Sequence, residues 1–136
     1  MNQIIFLLLM LIAAIIDIRK RMVPDSIWIM IIILSLVPPD GGRVAGILAA
    51  LPLFIAGITV GGIGGGDVKL MGAIGMMLGL EKAVAVLIIA LASLLVFHGI
   101  RKMLHRYRQP NSSNQKEQAY PFVPFLMLGS VIVMLL

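Results

Sequence analysis

The sequence predicts an all-α membrane protein with six transmembrane helices, and three observations support this fold class. Of the 136 residues, 60% are hydrophobic and 12% are charged, whereas an average soluble domain has about a quarter charged residues. The apolar residues form long runs that lack the alternation of a transmembrane β-barrel. The mean hydropathy of the chain is +1.08. A chain this short and this apolar has no room for a separate soluble part, so we expect one integral-membrane domain over residues 1–136.

Breaks between the apolar runs set the predicted helix boundaries, because proline and glycine clusters interrupt helical hydrogen bonding. We expect helices over residues 2–17, 26–37, 43–60, 67–80, 83–100 and 121–136. The predicted local features are, in order, an N-cap at Asp25 or Ser26, a turn at Pro38–Gly42, a kink at Pro52, a polar corner at Glu81–Lys82 and a polar, loop-containing segment over residues 101–119.

Basic residues concentrate on one side of the predicted bundle. With six spans, the breaks after the first, third and fifth helices share a side and hold nine of the eleven Lys and Arg residues. Membrane proteins concentrate Lys and Arg in cytoplasmic loops. We therefore expect a multi-pass protein of the plasma membrane, with this side cytoplasmic and both termini outside. The same bias accounts for the net charge of +5, so we expect the lipid bilayer, and no nucleic acid, as a partner.

Two aspartates fall on this same predicted side. Asp17 ends the first apolar run, and Asp67 follows the glycine-rich segment Gly61–Gly66. Acidic residues in apolar segments are costly and usually functional. Two neighbouring carboxylates share a proton, so one can take a proton from water while the other donates to the carbonyl oxygen of a peptide bond. This chemistry needs no cofactor, and neither His98 nor His105 has metal-ligand spacing, so no metal site is predicted.

Each feature also has a structural explanation. Asp67 would serve as the N-cap of the fourth helix. Asp17 would form an ion pair with Lys20 or Arg21. In an extended conformation, Gly64, Gly65 and Gly66 would offer hydrogen bonds to a substrate backbone. As an alternative, glycines fit small-xxx-small helix packing at Gly57, Gly61 and Gly65 and at the Gly62/Gly66 pair.

Three segments, in this order along a six-helix chain, carry a resemblance to a known family. They are Asp17-Ile-Arg-Lys-Arg-Met-Val-Pro-Asp25, Gly64-Gly-Gly-Asp67-Val-Lys69-Leu70 and Pro121-Phe-Val-Pro-Phe125. Together they resemble the type IV prepilin peptidase and preflagellin peptidase family of GxGD membrane aspartic proteases. The resemblance implies a GxGD-type intramembrane aspartic protease bundle, with Asp17 and Asp67 catalytic and Asp25 and Lys69 supporting.

The resemblance also implies the substrate, which is the leader of a prepilin-like precursor cut at the cytoplasmic membrane face. Larger bacterial members carry a cytoplasmic loop with cysteine pairs and also N-methylate the trimmed pilin. This sequence has no cysteine and no such loop, so we expect a peptidase without N-methyltransferase activity. The alternatives are a small membrane transporter or ion-coupling protein using the same carboxylates, and an inactive structural relative. A transporter would place its acidic residues near mid-membrane, whereas both aspartates are predicted at one boundary.

Overall fold

A computed structural model of the chain describes residues 1–37, 41–61, 63–108 and 120–136. These residues form helices and contain no strand, which confirms the all-α prediction. The predicted turn at Pro38–Gly42 lies partly outside the described residues, as do Gly62 and residues 109–119 of the predicted polar segment. The helices are α1 (Asn2–Lys20), α2 (Asp25–Ser35), α3 (Gly41–Thr59), α4 (Gly65–Leu78), α5 (Leu80–Arg108) and α6 (Val123–Leu135).

Three of these helices, α1, α3 and α5, are long and apolar enough to cross a membrane, as judged by length and composition. The other three are shorter, and two of those, α2 and α6, are apolar. At about 1.5 Å per residue, the 11 residues of α2 cover well under the hydrocarbon thickness of about 30 Å. The fold is therefore consistent with a membrane helical bundle, and the crossing of all six helices stays a prediction.

The middle of α3 changes helix type just before Pro52. Residues Ala45–Ala50 form a 3₁₀-helix, and the α-helix resumes at Leu51–Thr59 with Pro52 in its first turn. Proline is tolerated there because an N–H in the first helical turn has no intrahelical acceptor. The sequence predicts a kink at Pro52; the structure has a 3₁₀-to-α junction there, and the kink itself stays a prediction.

Several predicted boundaries are wrong. The first helix continues past Asp17 to Lys20, and Arg21 follows in the left-handed region with φ 54°. The turn between α4 and α5 is made by Gly79, with φ +86°, and Glu81–Lys82 is already in the first turn of α5. The fifth helix runs to Arg108 instead of ending at residue 100. The N-cap of α2 is Pro24, which replaces the predicted cap at Asp25 or Ser26.

The contacts between helix ends define two ends of the bundle. At one, which we call the Asn2 end, the Asn2 Nδ2 donates to the Val37 carbonyl oxygen over 2.6 Å, joining the start of α1 to the residue following α2. A cavity of about 360 Å³ at this end is lined by residues that include Arg43, at the start of α3, and Lys82, at the start of α5. The opposite end, which we call the Asp17 end, carries the end of α1 and the starts of α2, α4 and α6.

Glycines allow the closest helix contacts, but they are not the glycines predicted for packing. The backbones of Gly46 in α3 and Gly75 in α4 touch, so a Cβ on either would overlap the other's carbonyl. A Cβ on Gly129 in α6 would lie 2.7 Å from the Val86 oxygen of α5. Of the glycines predicted to mediate helix packing and described by the structure, Gly57, Gly61 and Gly65 have no close contact with another helix.

We expect Gly75→Ala to destabilise the fold, because its methyl group must displace the Gly46 backbone. Overpacking of this kind costs about 1–3 kcal/mol in the free energy of unfolding. The matched control is Gly99→Ala in α5, where a Cβ meets nothing within 4 Å, so helix propensity should leave stability unchanged or slightly raised. Denaturant unfolding in detergent micelles measures both, and equal midpoints for Gly75→Ala and wild type would contradict the contact.

Candidate active site

Asp17 lies in the last turn of α1 and is 5% exposed, which makes it the one buried charged residue in the part of the chain that the structure describes. Its Oδ2 accepts a hydrogen bond from the Val123 backbone N–H at 3.1 Å. Among the described residues Asp17 forms no ion pair with Lys20 or Arg21, so that structural explanation is wrong. The carboxylate is held by the start of α6 instead.

The start of α6 has N–H groups to offer because the first N–H groups of a helix lack intrahelical acceptors. A carboxylate is a favourable partner there, since the N-terminal end of a helix carries partial positive charge. Pro124 occupies the first turn of α6, where its missing N–H removes nothing from the helix. The Pro121–Phe125 segment therefore presents Val123 to Asp17 as a hydrogen-bond donor.

Asp67 lies in the first turn of α4 and is half-buried. The N-cap of this helix is Gly64, and no side chain caps it, so the N-cap explanation for Asp67 is wrong. The Asp67 backbone N–H bonds to the Gly64 carbonyl at 3.0 Å, while the carboxylate is close enough to Asp17 for their charges to interact. The structure thus places the two predicted aspartates at the same end of the bundle, within electrostatic range of each other.

The glycines before Asp67 shape its surroundings in different ways. Gly61 has φ +73°, a conformation that a side chain would strain. A Cβ on Gly64 would lie 3.3 Å from Asp67 Oδ2, and a Cβ on Gly66 would lie 3.6 Å from Val23 Cβ. Gly66 thus packs against the α1–α2 connection, and Gly64 leaves room for the carboxylate. Gly65 is exposed, with nothing within 4 Å of a Cβ.

A comparison of Gly64→Ala with Gly65→Ala separates two roles for these glycines. We expect Gly64→Ala to lower kcat of the proposed cleavage severalfold, because its methyl group presses on the Asp67 carboxylate. Gly65→Ala leaves that carboxylate untouched and should act, if the substrate backbone lies along this turn, mainly by raising KM. Steady-state cleavage of a precursor peptide measures both. A larger kcat loss for Gly65→Ala than for Gly64→Ala would contradict this assignment.

Asp25 and Lys69 meet at the same end of the bundle. The Lys69 Nζ lies 3.3 Å from Asp25 Oδ1, and the same oxygen accepts a hydrogen bond from Trp28 Nε1 at 2.8 Å. The Lys69 Nζ also lies 5.4 Å from the centroid of the Trp28 ring. These three side chains join the first turn of α2 to α4 at Lys69, two residues after Asp67. Both charged groups are exposed, so the pair is expected to contribute little to global stability.

We expect the Asp25–Lys69 contact to affect catalysis more than folding, because it joins the helix that carries Asp67 to α2. Asp25→Lys should reduce kcat severalfold by placing two cations together, with little change in the unfolding midpoint. The charge-swapped double variant Asp25→Lys/Lys69→Asp should recover part of that loss. If the double variant is no more active than Asp25→Lys alone, the Asp25–Lys69 ion pair does not account for the loss of kcat.

Sequence reasoning missed the contributions of Val123 and Trp28. Val123 acts through its backbone N–H, which no side-chain pattern reveals. The one available signal was its place between two prolines at a predicted helix start, since such a start leaves N–H groups without acceptors. The Trp28 indole donates to Asp25, a side-chain contact that the apolar pattern of α2 does not reveal.

An apolar helical bundle that brings two aspartates together has the parts of a membrane aspartic protease. The chain belongs to the type IV leader peptidase family, whose sequence pattern matches residues 4–99. This confirms the resemblance drawn from the three segments, and the matched range contains both aspartates. Family membership and the apolar helices together identify the chain as a membrane protein. The Pro121–Phe125 segment lies beyond the match.

A curated relative supports the same family. The chain is similar to the prepilin leader peptidase/N-methyltransferase of Bacillus subtilis (strain 168), with 30% identity over 141 residues that cover 97% of this chain and 54% of the relative. The chain therefore spans about half the length of this relative. No solved structure matches significantly.

Proposed function

We propose that this chain is a membrane aspartic endopeptidase that removes the leader of prepilin-like precursors by activating water between Asp17 and Asp67. The observation that carries the proposal is the approach of these two carboxylates, contributed by α1 and α4, to within electrostatic range of each other. Membership of a leader peptidase family supports the substrate class. The similar relative is named for leader peptidase activity.

The proposed chemistry uses one proton shared by the carboxyl pair. Two adjoining carboxylates cannot both ionise cheaply, so one stays protonated. The ionised group takes a proton from water as the water oxygen attacks the scissile carbonyl carbon, and the protonated group donates to the carbonyl oxygen. Collapse of the tetrahedral intermediate breaks the C–N bond and returns a proton to the leaving amine. The Val123 N–H fixes Oδ2 of Asp17, which leaves the other oxygen for this chemistry.

The proposed substrate has a leader followed by a hydrophobic helix. Gly64 and Gly65 are exposed next to Asp67, so an extended backbone at the cleavage site can approach without meeting side chains, and Gly66 supports this turn against Val23. Asp25 and Lys69 hold the start of α4. The hydrophobic part of the precursor would lie against the apolar outer surface of the bundle.

We propose that the Asp17 end is cytoplasmic and that both termini lie outside. The Asn2 end carries Arg43 and Lys82, so the positive-inside tendency favours the Asp17 end as the cytoplasmic one. The basic residues of the Asp17 end are Arg19, Lys20, Arg21, Lys69, Arg101, Lys102, Arg106 and Arg108. This placement puts both aspartates at one membrane boundary, as the protease requires and the transporter alternative does not.

The direct test is cleavage of a precursor by the purified chain in lipid. The precursor carries a basic leader, a glycine and a hydrophobic helix, and mass spectrometry identifies the products. We expect one cut directly after the glycine and an unmethylated product when a methyl donor is present. An intact precursor would contradict the peptidase, and a methylated product would contradict the absence of methyltransferase activity.

Cysteine labelling separates the peptidase from the transporter. The chain has no cysteine of its own, so a single thiol introduced by Arg21→Cys or Gly65→Cys, both at exposed positions, reports its own surroundings. For the peptidase, an impermeant reagent should label both from the cytoplasmic side only. Labelling from both sides would support alternating access and hence transport.

A further inference from the structure

Tyr120, which precedes α6, packs against side chains of α5. The Tyr120 ring packs edge-on against Phe97 at 6.3 Å and against His98 at 5.4 Å between ring centroids. The guanidinium carbon of Arg101 lies 5.3 Å from the centroid of the same ring. Phe97 also contacts Phe125, in the first turn of α6, at 5.7 Å. We call the contacts of Phe97, His98 and Arg101 with Tyr120 the Tyr120 clasp.

The Tyr120 clasp sits three residues before the N–H group that binds Asp17. Tyr120 is followed by Pro121, which restricts the backbone of both residues, and then by Phe122 and Val123. Because these backbone torsions are restricted, a displacement of Tyr120 is expected to displace the Val123 N–H as well. The hydrogen bond from Val123 to Asp17 is 3.1 Å long, so a further lengthening of several tenths of an ångström would end it.

We infer that Tyr120 is a positioning residue for Asp17. Its ring, fixed by the clasp on α5, sets the direction of the first N–H groups of α6, and these in turn fix the carboxylate. The inference rests on the proposed function, because it matters for activity only if Asp17 takes part in the cleavage. It assigns a role to three α5 side chains, those of Phe97, His98 and Arg101, that the proposed cleavage does not otherwise use.

The fold should survive the loss of the clasp. Phe122 is 8% exposed and Val123 is fully buried, so α6 stays anchored in the core by its own apolar side chains. Tyr120, by contrast, is only half-buried, and Phe97 is 46% exposed. Removing the tyrosine ring would therefore loosen the entry to α6 without emptying a core position.

The test compares Tyr120→Ala with Tyr120→Phe. The ring contacts make the clasp, so Tyr120→Phe should behave like wild type. Tyr120→Ala should lower kcat of precursor cleavage about 10–100-fold, the range that a small misplacement of a catalytic group can cost, with little change in KM. The matched control is Tyr107→Ala, which removes the other tyrosine of the chain from an α5 position that is 85% exposed, and it should cleave like wild type.

Hydrogen exchange of the Val123 amide gives a readout that does not depend on activity. This N–H is in the first turn of α6, so its protection depends on the Asp17 carboxylate. We expect faster exchange in Tyr120→Ala than in wild type, Tyr120→Phe and Tyr107→Ala. Wild-type kcat in Tyr120→Ala would overturn the inference, and so would a loss of kcat with unchanged exchange. If Asp17→Asn is inactive while Tyr120→Ala is normal, only this inference fails; if Asp17→Asn cleaves normally, the proposed function fails.

Discussion

Asp67→Asn is expected to abolish cleavage of the precursor leader. The amide neither takes a proton from water nor holds the shared proton, and loss of such a group lowers kcat by about 10²–10⁴-fold. The side chain does not cap α4, so the unfolding midpoint should stay close to that of wild type. Cleavage under single-turnover conditions together with thermal unfolding in the same detergent measures both quantities.

The matched control for Asp67→Asn is Glu81→Gln. Glu81 is also in the first turn of its helix, but at the Asn2 end of the bundle, so its replacement should leave cleavage unchanged. The double variant Asp17→Asn/Asp67→Asn should be about as inactive as either single variant, because the two groups act as one unit. Cleavage by Asp67→Asn at the wild-type rate would exclude the proposed mechanism.

The sequence was sufficient to predict that the helices exist, but less so to predict where they end. Apolar runs and proline or glycine breaks identify all six. The largest boundary error is at the end of α5, where the sequence predicts an end at residue 100 and the helix continues to Arg108. Polar composition says little about helix termination, because a helix that leaves the hydrocarbon keeps its own hydrogen bonds. Apolar residues at helical spacing continue there as Ile100, Met103, Leu104 and Tyr107.

For the candidate site, the sequence predicted the two catalytic aspartates but not the contacts that position them. Asp17 and Asp67 stand out because ionisable residues are rare in apolar segments. Their approach depends on tertiary packing, in which α2 contacts both α1 and α4, and the Asp17 partner comes from a backbone 106 positions away. Such contacts are tertiary and leave no local periodicity. The same holds for Lys69, whose contact with Asp25 spans 44 positions.

The glycine run illustrates why local patterns gave competing explanations. A glycine spacing of four fits helix packing, but Gly61 has a left-handed φ and so cannot lie on a continuous helical face. The close packing is made by Gly46 and Gly75, which lie outside the Gly61–Gly66 run. A glycine allows close helix packing only where the backbone of another helix lies against it. Which glycines meet this condition follows only from the arrangement of the helices.

Two replacements of Asp17 should separate its chemical role from its structural one. Both Asp17→Asn and Asp17→Ala should lose cleavage activity by about 10²–10⁴-fold, because neither residue can exchange a proton with water. They should differ in stability. Asparagine keeps a carbonyl oxygen that can accept from the Val123 N–H, whereas alanine leaves that buried donor unpaired, at a cost of about 1–3 kcal/mol.

Denaturant unfolding of the two Asp17 variants measures that difference directly. The control is Ser130→Ala in α6, because Ser130 is also fully buried but its hydroxyl donates to the Leu126 carbonyl within the same helix. That carbonyl keeps its place in the helical hydrogen-bond ladder when the hydroxyl is removed, so the loss should be smaller than for Asp17→Ala. Equal stability of Asp17→Asn and Asp17→Ala would mean that the Val123 N–H finds another acceptor. In that case α6 would not fix the carboxylate, and the water between the aspartates would have to be oriented by α1 and α4 alone.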